Sequence, residues 1–516
     1  MNRREIAVLL DEFSKSTHGT NSFDPTISSN GYLIRLQEIY TRASMDTRFM
    51  SQISSNPRLL IDLGIKRSIH VNRILYKTII SPILSNISAN GDIQSFSIWD
   101  EFLFLKHLQL IDNPSWFAEA FWDINRHAFG LVNRSTIPLQ VSPSTNTNSH
   151  KGPLIFVLKG PAALAHFENF LIFIRSKEVA SRAYDFRVVF LDADPNSVPS
   201  LPCKAFYFHH LPVHEKITSL NNLVFNTDCC CLLWVAAVQN LGLYLFSRIA
   251  PVQAYWSMKY HSVTSPCLDM LFRSATNSET RIIDNNPWYG IPSDFTQITK
   301  SLDSITLDKP KIDQFKSKLK ILTLGRQVKI NSAEFSDFIQ SLLASGHFLY
   351  SYSGKSKALW DSRQGNKAAI TPHVNYLGWL NIKGIKHHLR YADIYVDSFP
   401  FGGGHTCFYA MKMSVPVLMI NTEQNRRCSY MMHLIDLINY FKLGHLNLEL
   451  YGIFSEPKLL HEFLEHLSTI GTAESSSILS RISQRQSSIF SKWSNTSHIQ
   501  NAYVTSFDRM LSRKLM

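Results

Sequence analysis

No run of lysines or arginines interrupts the sequence, although its 516 residues carry a formal net charge of +12. A positive balance attracts phosphates, nucleic acid or an anionic membrane surface in general. Basic residues scattered along the chain do not make the arm or stripe that nucleic-acid binding requires, so no nucleic-acid partner is expected. Cysteine is also scarce, at seven residues, three of them the consecutive Cys229, Cys230 and Cys231. No CxxC or Cys/His spacing offers a zinc site, and neighbouring cysteines make poor disulfide partners, so a reducing cytoplasm is the expected compartment. At the start, MNRREIAVLLDEFSKS has its apolar run broken by Asp11 and Glu12, too early for a signal-peptide core. The uncharged stretch CCCLLWVAAVQNLGLYLFS, Cys229 to Ser247, approaches membrane length but is interrupted by Gln239, Asn240 and Gly242. It reads as a buried strand, a turn and a helix, not as a span. Finally, Gly354-Lys355-Ser356 lacks the upstream glycine that a phosphate-binding P-loop needs.

What remains is a globular chain, 45% apolar and 12% aromatic, too long for a single core. Residues 1 to about 140 place apolar side chains at helical spacing, as in GYLIRLQEIYTRA and WFAEAFWDINRHAFGLV. The polar VSPSTNTNSHKGP then marks a junction. Beyond it the short apolar runs LIFVLKG, RVVFLDAD, AFYFHH and CCCLLWV alternate with helical or loop-like segments. After DSITLDKPKIDQFKSKLK a second set follows, KILTLG, GHFLYSYSG, HVNYLGW, DIYVDSF and VPVLMI. This alternation predicts an α/β chain of two doubly wound parallel units facing a cleft, preceded by an all-α domain. The expected boundaries are 1–148, 149–312 and 313–516.

Several motifs sit where such sheets bind ligands, at the carboxyl ends of strands. In DSFPFGGGHTCFYAMKMSVPVL, Asp397 to Leu418, Gly403 and Gly404 with His405 and Thr406 lie between a strand and a helix. Glycine permits close backbone approach, and a helix start offers unpaired N–H groups and a positive dipole end, so a diphosphate is one natural guest. An ordinary tight connection capped by Thr406 is the other reading. Lys329, in KILTLGRQVKI, follows a strand and is placed to neutralise a phosphate, or is a solvated loop charge. Asp192-Ala193-Asp194 either holds a metal on a nucleotide diphosphate or forms an acidic turn. His166, in LKGPAALAHFENF, is a candidate base or a packed histidine.

The segment RIAPVQAYWSMKYHS and the glycine-rich stretch together resemble glycosyltransferase family 41, the O-linked N-acetylglucosamine transferases and bacterial cytoplasmic protein N-glycosyltransferases. Ala250-Pro251-Val252-Gln253 with Trp256 matches one element of that family, and Lys329-Ile330 a second. Ala392-Asp393, Asp397, Pro400 and Gly404-His405-Thr406 match a third. The resemblance implies a GT-B fold, a nucleotide-sugar donor such as a UDP-sugar, inversion at the sugar, no cofactor, no catalytic metal and a protein or peptide acceptor. It makes Lys329 the cation on the diphosphate, puts Gln253 and Leu380 at the donor, and leaves His166 or Asp269 to position the acceptor. The chain departs from the family at Ala410, where an acid would hold the ribose and which leaves that task to Glu423. It departs again at Ala162, where a first histidine is missing, and at Met258-Lys259-Tyr260. The alternatives are a metal-dependent transferase centred on Asp192 and Asp194 with a glycan or lipid acceptor, and a binding protein on a decayed GT-B scaffold.

Overall fold

The computed structural model describes residues 152–494 with breaks, the longest at 258–266, 307–317, 355–372 and 423–430. It also describes 81–97, 123–131, 504–508 and positions 76, 77, 100 and 502. The core is two sheets. The first contains β1 (Leu154–Leu158), β2 (Phe186–Phe190), β3 (Lys204–Tyr207), β4 (Cys231–Val235), β5 (Val252–Trp256), β6 (Met270–Ser274), β7 (Thr280–Ile283) and β8 (Asn286–Ile291). Their order is β3-β2-β1-β4-β5-β6-β8-β7, parallel throughout except for the antiparallel β7–β8 pair. The second contains β9 (Leu319–Thr323), β10 (Phe348–Tyr352), β11 (Val374–Tyr376), β12 (Ile394–Val396), β13 (Val417–Ile420) and β14 (Ile453–Phe454), ordered β11-β10-β9-β12-β13-β14. Both sheets therefore run outward from their first strand, reverse, and run outward again. This creates a topological switch point between β1 and β4 and another between β9 and β12.

The central strands LIFVL and CLLWV are buried at every position, as strands covered on both faces must be. The helices among the described residues of these units include α1 (Leu164–Ile174), α2 (Val213–Asn226), α3 (Phe295–Asp303), α4 (Ala333–Ala344), α5 (Ile382–Leu389), α6 (His405–Lys412), α7 (Met431–Tyr440), α8 (Pro457–Thr469) and α9 (Thr472–Ser494). Phe167, Phe170 and Phe173 of α1 enter the first core, where Phe170 and Phe173 pack on Phe156. Ile172, on another face of α1, packs against the core of the second unit. In α3, Phe295 packs on Phe408 of α6 and on Phe490 of α9. The chain finally returns to the first unit, where Phe507 stacks on Phe173 and Phe272, and the Ser506 hydroxyl donates to the Gly290 carbonyl.

Much of the expected N-terminal domain lies outside the described residues. The parts described are helical, including Ser81–Ala89 and 123–131, and Leu84, Ile87, Ile124, Ala128 and Leu131 share the first unit's core. Two buried hydrogen bonds fix this junction, from the Leu243 amide to Asp100 (2.7 Å) and from the Asn125 side chain to the Gly242 carbonyl (2.6 Å). The Cys229–Ser247 stretch contains β4 followed by a short helix, Leu241–Tyr244, and no helix among the described residues is long and apolar enough to cross a membrane. The strands β5 to β8 and β14 extend the sheets beyond the sequence expectation. Gln253 interrupts β5, Arg281 β7 and Pro287 β8, β6 has only three apolar residues in a row, and β14 is two residues long, so none shows the long apolar run of the central strands.

Candidate functional site

At the second switch point, the carboxyl ends of β9 and β12 are laced together. The Thr323 hydroxyl donates to the Val396 carbonyl (2.9 Å), and the Tyr395 hydroxyl donates to the Leu324 carbonyl (2.9 Å). After β9, the Gly325 amide donates to the Ser353 hydroxyl, and a helical turn over Gln327–Ile330 carries Lys329. Ser332 then caps α4 by accepting the Phe335 amide, while its hydroxyl donates to the Phe399 carbonyl (2.6 Å). This bond ties the segment after β9 to the segment after β12.

The glycine-rich turn lies between these segments. Lys329 reaches it and donates from Nζ to the Gly402 carbonyl. Beneath it, the 1%-exposed Asp397 accepts the Gly403 amide on Oδ1, while its Oδ2 has no hydrogen-bond partner among the described residues. Burial pushes the Asp397 carboxyl up to about 6, opposed by the Lys329 charge and the Gly403 amide. A Cβ on Gly403 would meet Asp397 Oδ1 at 2.8 Å and Cys407 Sγ at 3.0 Å, so only glycine fits there. The turn is thus held from one side by a cation and from below by a buried acid.

From the turn, α6 begins at His405. Its N-cap is Gly404, with no side-chain cap, and not Thr406. With no side-chain cap at Gly404, the positive dipole end of α6 lies at the glycine turn, and the Cys407 amide donates to the Gly404 carbonyl (3.0 Å). The Thr406 hydroxyl faces the sheet, 3.0 Å from the Tyr395 hydroxyl oxygen, to which it can donate. It seats the helix, leaving backbone amides as the donors this start can offer. His405 is 6% exposed, and its Nδ1 lies 3.2 Å from Oε2 of Glu168, which reaches over from α1 of the first unit.

The other sequence candidates fall in different places. Asp269 forms a two-pronged ion pair with Arg248 (2.7 and 2.8 Å) and accepts the Gln253 amide (2.8 Å). Gln253 is fully buried in β5, donating to the Cys267 carbonyl (2.8 Å). Asp192 is ion-paired with Lys216 at 2.6 Å, and Asp194 caps the short helix Pro195–Ser197. Leu380 is half-buried against the second core beside Trp379, which is 56% exposed. Ala410 is fully buried in α6. The backbone of His166 lies in α1, but its side chain, like Ala162, Met258-Lys259-Tyr260 and Glu423, lies outside the described residues. Sequence reasoning missed Glu168 altogether. The available signal was its position four residues before Ile172, on a helix whose phenylalanines mark the opposite commitment.

No family model and no curated protein matches this sequence. Among solved structures, the Thermobaculum terrenum O-GlcNAc transferase, solved as a lysine-to-methionine mutant, is similar over 100% of this chain and 99% of its own, with a TM-score of 0.55 and 12% identity. A glycosyltransferase from Rickettsia africae covers 71% of this chain and 99% of its own at TM-score 0.45 and 9% identity. Anabaena HepE, solved in complex with UDP-glucose, covers 69% and 100% at 0.43 and 12%. The full-length match to the first of these, with two sheets of the same switch-point topology, shows a GT-B fold of two Rossmann-like units.

Proposed function

We propose that the protein is a glycosyltransferase that moves a hexose or N-acetylhexosamine from a UDP-sugar to a protein side chain, such as asparagine, with inversion and without a metal. The observation that carries this reading is the convergence of Lys329 and the uncapped start of α6 on one glycine turn at the second switch point of a GT-B fold. That arrangement fits a diphosphate: a fixed ammonium, main-chain donors, a dipole end and a turn without side chains in the way.

In the transfer, a bond forms between the acceptor atom and the sugar's anomeric carbon as the bond from that carbon to the diphosphate oxygen breaks. The electron pair leaves with the diphosphate, and the proton that the acceptor atom loses passes to a general base, for which His166 is the sequence candidate. Lys329 and the amides at the start of α6 meet the charge as it develops, which lowers the barrier more than it stabilises the bound donor. The turn needs no reorganisation for this, because Asp397 and Ser332 already hold it. Metal coordination is left out because Asp192 is committed to Lys216 and Asp194 to a helix cap. The acceptor enters from the first unit and from the helical region before it, in the cytoplasm.

The test is binding and turnover of UDP-sugars by purified protein and by Lys329→Ala. We expect wild type to bind UDP, and Lys329→Ala to lose about a hundredfold in kcat/KM while remaining folded. Chelator should leave the wild-type rate untouched. A variant as active as wild type would overturn the phosphate role, and a strict metal requirement would restore Asp192 and Asp194.

A further inference from the structure

On the reading just proposed, we infer that Glu168 is a positioning residue for the donor site, reaching from the first Rossmann unit to fix the His405 ring and so completing the diphosphate cradle only when the two units are closed. Two observations carry this. The first is the contact itself, Glu168 Oε2 to His405 Nδ1 at 3.2 Å, from a 48%-exposed carboxylate to a 6%-exposed imidazole. The second is the face of α1 on which it lies. Glu168 and Ile172 are four residues apart and share one side of the helix, and Ile172 packs into the second unit's core while Phe167, Phe170 and Phe173 pack into the first. The side of α1 that carries Glu168 is therefore the side that docks on the second unit.

Two other carboxylates of the first unit, Asp192 and Asp269, are committed within it: Asp192 pairs with Lys216 and Asp269 with Arg248. Glu168 alone among these three crosses the cleft, and it does so at the first residue of the helix whose start faces the donor. An imidazole has two unlike edges, and a half-turn about its Cβ–Cγ bond exchanges them. A carboxylate is acceptor-only, so it selects the orientation and tautomer with N–H at Nδ1. With the ring set, the geometry at the head of α6 is single-valued. Without Glu168 that selection from the first unit is lost, and the donor must make it at the expense of affinity.

Reach and acceptor-only character are the properties used. Glu168→Gln keeps the reach but can turn either its carbonyl oxygen or its NH2 to Nδ1, and is expected to recover only part of the wild-type UDP affinity, between wild type and Glu168→Ala. Glu168→Ala and Glu168→Asp, which lose the contact by truncation or by one methylene, are expected to weaken UDP binding and raise the KM for the donor roughly tenfold, the size of effect seen when a partner that orients a working histidine is removed. The KM for the acceptor and the melting temperature should stay near wild type. The decisive measurement is a double-mutant cycle on UDP affinity: in a His405→Ala background, Glu168→Ala should have no further effect. An Asp variant that behaves like wild type, or an Ala effect that persists undiminished without His405, overturns the inference. Failure of the wild-type protein to bind UDP would instead defeat the glycosyltransferase reading on which it rests.

Discussion

Lys329 and Asp397 grip consecutive residues of one turn: the ammonium donates to the carbonyl of Gly402, and the buried carboxylate accepts the amide of Gly403. Each group also bears on the other, since the Lys329 charge opposes the upward push that burial gives the Asp397 carboxyl. The glycine turn is therefore a balanced assembly, in which a cation and a buried acid act on the two sides of one peptide unit.

That balance predicts a specific pH dependence. The Asp397 carboxyl rises from 3.8 to about 6 on folding. Below about pH 4 the group is protonated in both states and imposes no cost. Between pH 4 and 6 the unfolded chain ionises first, so folding stability falls as pH rises, by roughly 2–3 kcal/mol in all, and above about pH 6 the loss is constant. Asp397→Asn removes this term. Urea midpoints for wild type and variant from pH 4 to pH 8 should show the variant gaining on wild type up to about pH 6 and then running parallel. Curves that are parallel across the whole range would show that Asp397 does not titrate there.

Gly403→Ala tests the packing of the turn separately from its charges. The added methyl must displace either Asp397 or Cys407, at 2.8 and 3.0 Å, and both are buried. We expect a stability loss of about 1–3 kcal/mol, typical of overpacking. A larger proportional loss of UDP affinity should accompany it, because the amide that Asp397 pins shifts with the turn. Calorimetric titration with UDP alongside thermal melting separates the two, and unchanged UDP affinity would show that the turn does not approach the ligand.

Asp269 was a candidate for acceptor chemistry, and its surroundings give it structural work: it binds Arg248 and the Gln253 amide at once. If that work is its whole contribution, Arg248→Ala and Asp269→Asn should lower activity to a similar and small extent, roughly two- to fivefold, through local loosening. The double variant should be no worse than either single one. An Asp269→Asn rate that falls a hundredfold or more, with Arg248→Ala near wild type, would return Asp269 to the chemistry.

The two doubly wound units were legible because short apolar runs such as LIFVL and CLLWV alternate with polar segments, and the glycine turn was legible as a strand-to-helix handover because glycine, histidine and threonine cluster between DIYVDSF and CFYAMKMS. Within the cradle the roles were not. Sequence could not tell that the Thr406 hydroxyl turns to Tyr395 or that the Gly403 amide turns inward to Asp397, since both follow from which way a helix start is seated on its sheet. Glu168 was invisible for a different reason. Its partner is 237 residues away, and a contact between two folded units leaves no local pattern in either.

Gln486 offers a test at the opposite end of the same sheet. From the middle of α9, fully buried, it donates to the Val417 and Tyr451 carbonyls (2.7 Å each) and accepts the Val417 amide (3.0 Å). The β13–β14 ladder pairs Met419 with Ile453 and Ile420 with Phe454. The side chain therefore takes over the backbone groups where that ladder has ended. Gln486→Leu would strand three buried backbone groups, and we expect a loss of about 2–4 kcal/mol in urea unfolding. Gln486→Glu should do no better at neutral pH, because a carboxylate cannot donate to either carbonyl. Val417 stands at the amino end of β13, away from the carboxyl edge that carries the cradle, so the folded fraction should keep wild-type affinity for UDP. Loss of UDP binding in parallel with stability would mean that the cradle depends on the whole sheet edge and not only on Lys329, Asp397 and the start of α6.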